Sequence, residues 1–88
     1  MPAAVVRHKV GDFDTWMKGH PERKASVEQI ASSFRTFRDA EDPNSIVMVA
    51  EDVDLDKFGA IMSDPEAQAL MDKHTVIQPI KLYLEVDV

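Results

Sequence analysis

Apolar residues along the chain recur with two periods, and the alternation between those periods sets out an order of elements. From Ala3 to Val10 the segment AAVVRHKV starts β-branched and apolar and then alternates, which predicts a first strand ended by Gly11. Phe13, Trp16, Met17 and His20 follow at helical spacing. The pattern resumes with Val27, Ile30 and Ala31 on one face, while Glu22, Arg23, Glu28 and Gln29 lie mostly on others. Gly19 and Pro21 interrupt it, because Pro21 has no N–H to offer the carbonyl one turn back. The expectation is one broken helix from Asp12 to Ala31, with Asp12 as its N-cap and Asp14 complementing the positive helix end.

The segment Ser33 to Asp39, SFRTFRD, alternates and predicts a second strand; Ala40 to Ser45 is a turn built on Asp42, Pro43 and Asn44. Ser45 to Ala50, SIVMVA, is a near-continuous apolar run, the mark of a strand covered on both faces, and would pair with strand two as an antiparallel hairpin. Asp54 caps a second helix carrying Leu55, Phe58, Ile61 and Met62. Ser63-Asp64-Pro65-Glu66 reads as a restart in which Ser63 and Glu66 form a capping box, and Ala67, Leu70, Met71 and His74 continue the apolar stripe. Finally Ile80, Leu82, Leu84, Val86 and Val88 alternate with Lys81, Tyr83, Glu85 and Asp87, a last strand with one apolar face.

Strand, helix, strand, strand, helix, strand points to an α+β, ferredoxin-like βαββαβ arrangement, a single domain over residues 1–88. A four-stranded antiparallel sheet would carry two helices on one face. The other face, apolar from strand three and supplied with aromatic residues by its neighbours, would stay in water. Burial of that face between two sheets, giving a homodimeric α/β barrel, is the expected remedy.

Composition narrows function by exclusion. With 88 residues the chain buries only ~60% of its unfolded surface, which again favours a partner subunit. A net charge of -6 disfavours nucleic acid and anionic membranes as partners, and the absence of Cys removes thiolate chemistry and sulfur-ligated metal. No stretch approaches a membrane span or a signal peptide, so a cytoplasmic protein is expected. The three Gly are scattered, with no phosphate loop and no nucleophile elbow.

Asp12-Phe13-Asp14-Thr15-Trp16 after the first strand, Phe37-Arg38-Asp39-Ala40-Glu41-Asp42-Pro43-Asn44 running into strand three, Asp54-Leu55-Asp56-Lys57-Phe58, and Ser63-Asp64-Pro65-Glu66 with Leu70 and Met71 together form a recognisable pattern. It resembles the dimeric α/β-barrel superfamily, and within it small cyclase-like or antibiotic-biosynthesis-monooxygenase-like bacterial proteins. The resemblance spans nearly the whole chain and rests mainly on caps, turns and core positions. It implies paired sheets, a ligand cavity between sheet and helices, and activities that include cofactor-independent oxygenation of polycyclic aromatics, haem degradation, and isomerisation or cyclisation of small molecules. The pattern departs in three places. His74-Thr75-Val76 stands where such proteins often have Ala-Gly-Val. Gly19-His20-Pro21 breaks the first helix. The first strand carries Arg7, His8 and Lys9 in place of the Asn used by the oxygenase and haem-degrading relatives.

Three His residues head the acid–base candidates. His8 shares a strand face with Val6 and Val10, and is either a cavity-lining base or a hydrogen-bonded core histidine. His20 falls on the Trp16 stripe, pointing into the same cavity or capping the broken turn. Their spacing matches no metal motif, so no metal and no cofactor are implied. Trp16, Phe37, Phe58 and His74 are the candidate ligand-binding residues, Trp16 serving equally as a core anchor and His74 as a helix-end residue. The acidic groups at Asp12, Asp14, Asp54 and Asp56 read as caps. One of Arg35 and Arg38 could recognise a carboxylate or phenolate, but pairing with an acidic neighbour is the more ordinary role, and Tyr83 is expected in the dimer interface. The combined reading is a homodimer whose cavity takes a small apolar or aromatic molecule, either as a cofactor-independent cyclase- or monooxygenase-like enzyme or as a non-catalytic ligand-binding or assembly module.

Overall fold

The computed structural model describes residues 2–86, so Asp87 and Val88 of the expected last strand lie outside the described residues. Its elements are β1 (Ala4–Val10), α1 (Phe13–Lys18), α2 (His20–Glu28), β2 (Ser33–Arg38), β3 (Ser45–Glu51), α3 (Leu55–Ser63), α4 (Pro65–Lys73) and β4 (Val76–Leu84). The sheet is antiparallel in the order β2-β3-β1-β4, the ferredoxin-like topology.

Both helical stretches break where the pattern breaks. Gly19 ends α1 and opens α2, placing Pro21 in the first turn, where its missing N–H costs nothing. Asp64 divides α3 from α4 with ψ 124, as a residue preceding proline prefers extended backbone. Asp12 caps α1 by accepting from the Asp14 N–H and the Thr15 hydroxyl, and Asp54 caps α3 by accepting from the Lys57 N–H. The Thr15 bond is the first cause holding the Asp12 carboxyl below its ordinary pKa. The restart corrects the expected capping box. Asp64, not Ser63, accepts from the Glu66 N–H, and the Ser63 hydroxyl donates back to the Gly59 carbonyl because Ser63 is still helical.

The register decides which residues share a face. Ala4, Val6 and His8 stand opposite Ala50, Met48 and Ile46, and with Val10 they face the helices. Val5, Arg7 and Lys9 point to the bare face together with Val47 and Val49. Phe37 pairs with Val47 and Tyr83 with Val5, so both aromatics also stand on the bare face, about half exposed. The last strand begins at Val76, earlier than its alternation indicated. Between the pairs Arg7–Lys81 and Lys9–Ile77 the register shifts, and Gln78-Pro79-Ile80 accommodate the extra length. A proline within a strand hides the period-two pattern, so the first half of β4 was not visible as strand.

Two packed clusters lie under the helices. Val10, Trp16, Ile46 and Met48 form one, around α1; Ala4, Ile30, Ala50 and Val53 form the other. The two strand–helix junctions are tied together at one end. Gly11 N–H donates to the Thr75 carbonyl, and the Thr75 hydroxyl accepts from Asp12 N–H and lies 3.2 Å from the Asp12 carbonyl. Those bonds hold Thr75 at φ 64, a left-handed conformation that strains a β-branched residue. No helix among the described residues is long and apolar enough to cross a membrane.

Candidate functional site

Between the helices and the sheet the packing is incomplete, and a cavity of about 230 Å³ remains. Its floor is Val6, His8 and Met48; its walls include Trp16, Arg23, Phe34, Phe58, Leu70 and His74. A cavity of about 150 Å³ holds benzene, and drug-sized pockets begin near 300 Å³, so this one matches a molecule of one to a few rings.

His8 reaches this space because β1 runs through the middle of the sheet and its even-numbered residues face the helices. Its ring is 5% exposed and lies edge-on to Trp16, with centroids 5.9 Å apart. Nδ1 lies 3.1 Å from the Lys9 carbonyl, which can only accept, so Nδ1 carries the proton. Nε2 is then left with a free lone pair, and it has no protein partner among the described residues. Burial is the largest cause lowering the His8 pKa from 6.5, opposed by the Lys9 bond and reinforced by the Arg23 charge. The group is thus a neutral imidazole with an unengaged basic nitrogen at neutral pH.

Trp16, fully buried, is the hub of the wall. Phe13 and His20 pack on it at 5.9 and 5.6 Å, and the Arg23 guanidinium stacks 4.2 Å from its centroid. Its indole Nε1–H is buried without an acceptor among the described residues. Arg23 also donates to the Trp16 carbonyl at 3.2 Å and to His20 Nδ1 at 3.1 Å. Arginine only donates, so His20 Nδ1 accepts and its Nε2–H points to the Thr36 hydroxyl 3.3 Å away.

That arrangement alters the expectation for His20. Its ring does not line the cavity; it sits behind the wall against Trp16 and Phe34, with both nitrogens engaged. Desolvation, then the charges of Arg23 and Lys24, lower its pKa. Phe37 is likewise not a cavity residue. Alternation along β2 turns Phe34 and Thr36 toward the helices and Phe37 away from them, into a shallow depression with Arg7, Arg38 and Val47. Trp16, Phe58 and His74 do border the cavity together with His8. His74 is the C-cap of α4, and its ring lies so close to Gly19 that an added Cβ there would overlap it.

Arg23 is the site residue that the helical pattern did not single out. Its position looked solvent-facing, yet it lies seven residues after Trp16, two helical turns, and the restart at Gly19 keeps the two in line. Arg35 and Arg38 stay outside the cavity. Arg35 pairs with Glu51 at 3.0 Å, while Arg38 donates to the Pro43 carbonyl and covers the Phe13 ring. Among the described residues no three His, Asp or Glu side chains converge as a metal site.

No family model matches the sequence, and no curated protein matches it. Solved structures do match it in fold. An antibiotic biosynthesis monooxygenase superposes with a TM-score of 0.76 at 16% identity, covering 100% of this chain and 99% of its own. SnoaB, a cofactor-independent oxygenase from Streptomyces nogalater, gives 0.72 at 15% identity over 99% of this chain and 92% of its own. An uncharacterized NIPSNAP domain protein from Burkholderia xenovorans gives 0.69 at 16% identity over 100% and 95%. The chain therefore has the ferredoxin-like fold of the antibiotic biosynthesis monooxygenase structures.

Proposed function

We propose that the chain is a cofactor-independent, monooxygenase-like enzyme that removes a proton from a small aromatic or largely apolar molecule held in the cavity. The observation that carries this reading is His8, a buried neutral imidazole whose Nε2 is free beside an aromatic wall. A carbon acid placed against Nε2 gives up its proton to that nitrogen, and the electron pair remains on the substrate as an enolate. Dioxygen is the co-reactant. With anthrone as substrate the balance is anthrone plus dioxygen giving anthraquinone plus water. His20 orients Arg23 and supports the wall; it is a positioning residue, not the base. The fold shared with a cofactor-independent oxygenase supports the same reading.

Anthrone turnover, followed by oxygen uptake, tests it. His8→Gln is expected to lower kcat at least ~100-fold, the contribution of a general base, while leaving anthrone binding in place. In the wild type kcat/KM should hold as pH falls to 6.5 and drop only below it, because the base must be neutral and burial lowers its pKa from that value. Binding without turnover would make the cavity a binding site and sink the enzyme reading.

The working unit we propose is a homodimer joined through the bare sheet face. Val5, Val47 and Val49 stand there with Phe37 and Tyr83, which are 49% and 47% exposed. Sedimentation at micromolar concentration should give twice the chain mass; a folded monomer there would refute it.

A further inference from the structure

Arg23 carries its charge into the cavity wall with no carboxylate paired to it among the described residues. Lys24, the next residue, is exposed, so a charge in α2 can be fully hydrated one position along. Arg23 is half-buried instead, stacked on Trp16 at the cavity wall. Burial brings its pKa down to about 10, which still leaves it charged at neutral pH. Such a charge ordinarily keeps a carboxylate beside it. The chain has carboxylates in excess, with 16 Asp and Glu against 10 Lys and Arg, yet none pairs with this guanidinium. The ion pairs among the described residues are Lys9–Asp42 and Arg35–Glu51. Glu22, the one carboxylate of the lining, is exposed in the first turn of α2 and does not bridge to Arg23.

The donor count points the same way. A guanidinium has five N–H donors. Two of them go to the Trp16 carbonyl and His20 Nδ1, and three have no protein acceptor among the described residues. Arg23 thus meets the cavity without a paired carboxylate among the described residues, while most of the side chains around that space, including Phe34, Phe58 and Leu70, are apolar.

We infer that the cavity selects small aromatic molecules bearing one ionised carboxylate, which Arg23 binds through its free fork while the ring lies against the apolar wall. This rests on the reading of the cavity as a ligand site and specifies what that site takes. A planar carboxylate matches two parallel N–H donors, and charge-assisted bonds of this kind are roughly twice as strong as neutral ones.

Calorimetric titration of the wild-type protein with 2-naphthoate and with 2-naphthamide, the same ring system without the charge, tests the inference. Naphthoate should bind at least ~10-fold more tightly. The net charge of -6 repels naphthoate, so bulk electrostatics cannot produce that preference. Arg23→Gln should bring the ratio of affinities to about one and leave naphthamide binding within about twofold. Arg23→Lys, which keeps charge without the fork, should give an intermediate ratio. Equal binding of both probes to the wild type, or a preference that survives Arg23→Gln, overturns the carboxylate inference and leaves the cavity as a ligand site. Binding of neither probe overturns the ligand site itself.

Discussion

The two broken helices are built from the same sequence device and pack in opposite ways. Each is an amphipathic stretch capped by Asp, interrupted, and restarted with a proline in the first turn. In α1–α2 the break brings Trp16, at 0% exposure, onto Val10 and Ile46, and stacks Arg23 over it. In α3–α4 no residue is buried, and Leu70 is 44% exposed although it faces the cavity. The first has a fully buried aromatic anchor packed on the sheet. The other offers Phe58 and Ile61, which pack only partly buried against the Ala4, Ile30, Ala50 and Val53 cluster, and Met, Leu and Ala, which leave space. The anchored half therefore holds the Arg23 guanidinium and the Trp16 indole in fixed relation beside His8, and the loose half is a wall with no buried residue behind it.

That contrast can be broken by experiment. The largest effect should come from Trp16→Ala, a loss of ~3–5 kcal/mol of stability in urea unfolding, against about 1 kcal/mol for Leu70→Ala, whose side chain is already near solvent. Similar costs at the two positions would erase the distinction between the two broken helices. A smaller effect tests the place where the halves touch. The ring of His74, the C-cap of α4, packs onto Gly19, so Gly19→Ala must turn that ring aside and should destabilise by about 1 kcal/mol. Adding His74→Ala should recover much of that loss, and strictly additive losses would show that the ring and the glycine are not coupled.

Most of the elements were legible because their causes are local. Alternation marked β1 and β2, a near-continuous apolar run marked β3, and the Asp12 and Asp54 caps stood one residue before their helices. Errors fell where a local signal was ambiguous or masked. Ser63 and Asp64 are both competent caps, and only the helix end at Pro65 selects Asp64. The Gln78-Pro79 step concealed the start of β4. The site was half legible. His8, Trp16, Phe58 and His74 do surround one space, but Phe37 was set on the wrong side of the sheet, and Arg23 passed for a surface residue.

By itself the sequence determined the elements, their order, the helix breaks and which residues of each strand travel together, because caps, prolines and periodicity act within a few residues of the chain. Only the tertiary structure decided which face of each strand meets the helices, since pairing with β3 settles that for Phe34 and Phe37. Only the tertiary structure left a cavity. An empty volume is the mismatch between side chains on elements far apart in sequence, here Trp16 and Leu70, and no periodicity along one segment records it.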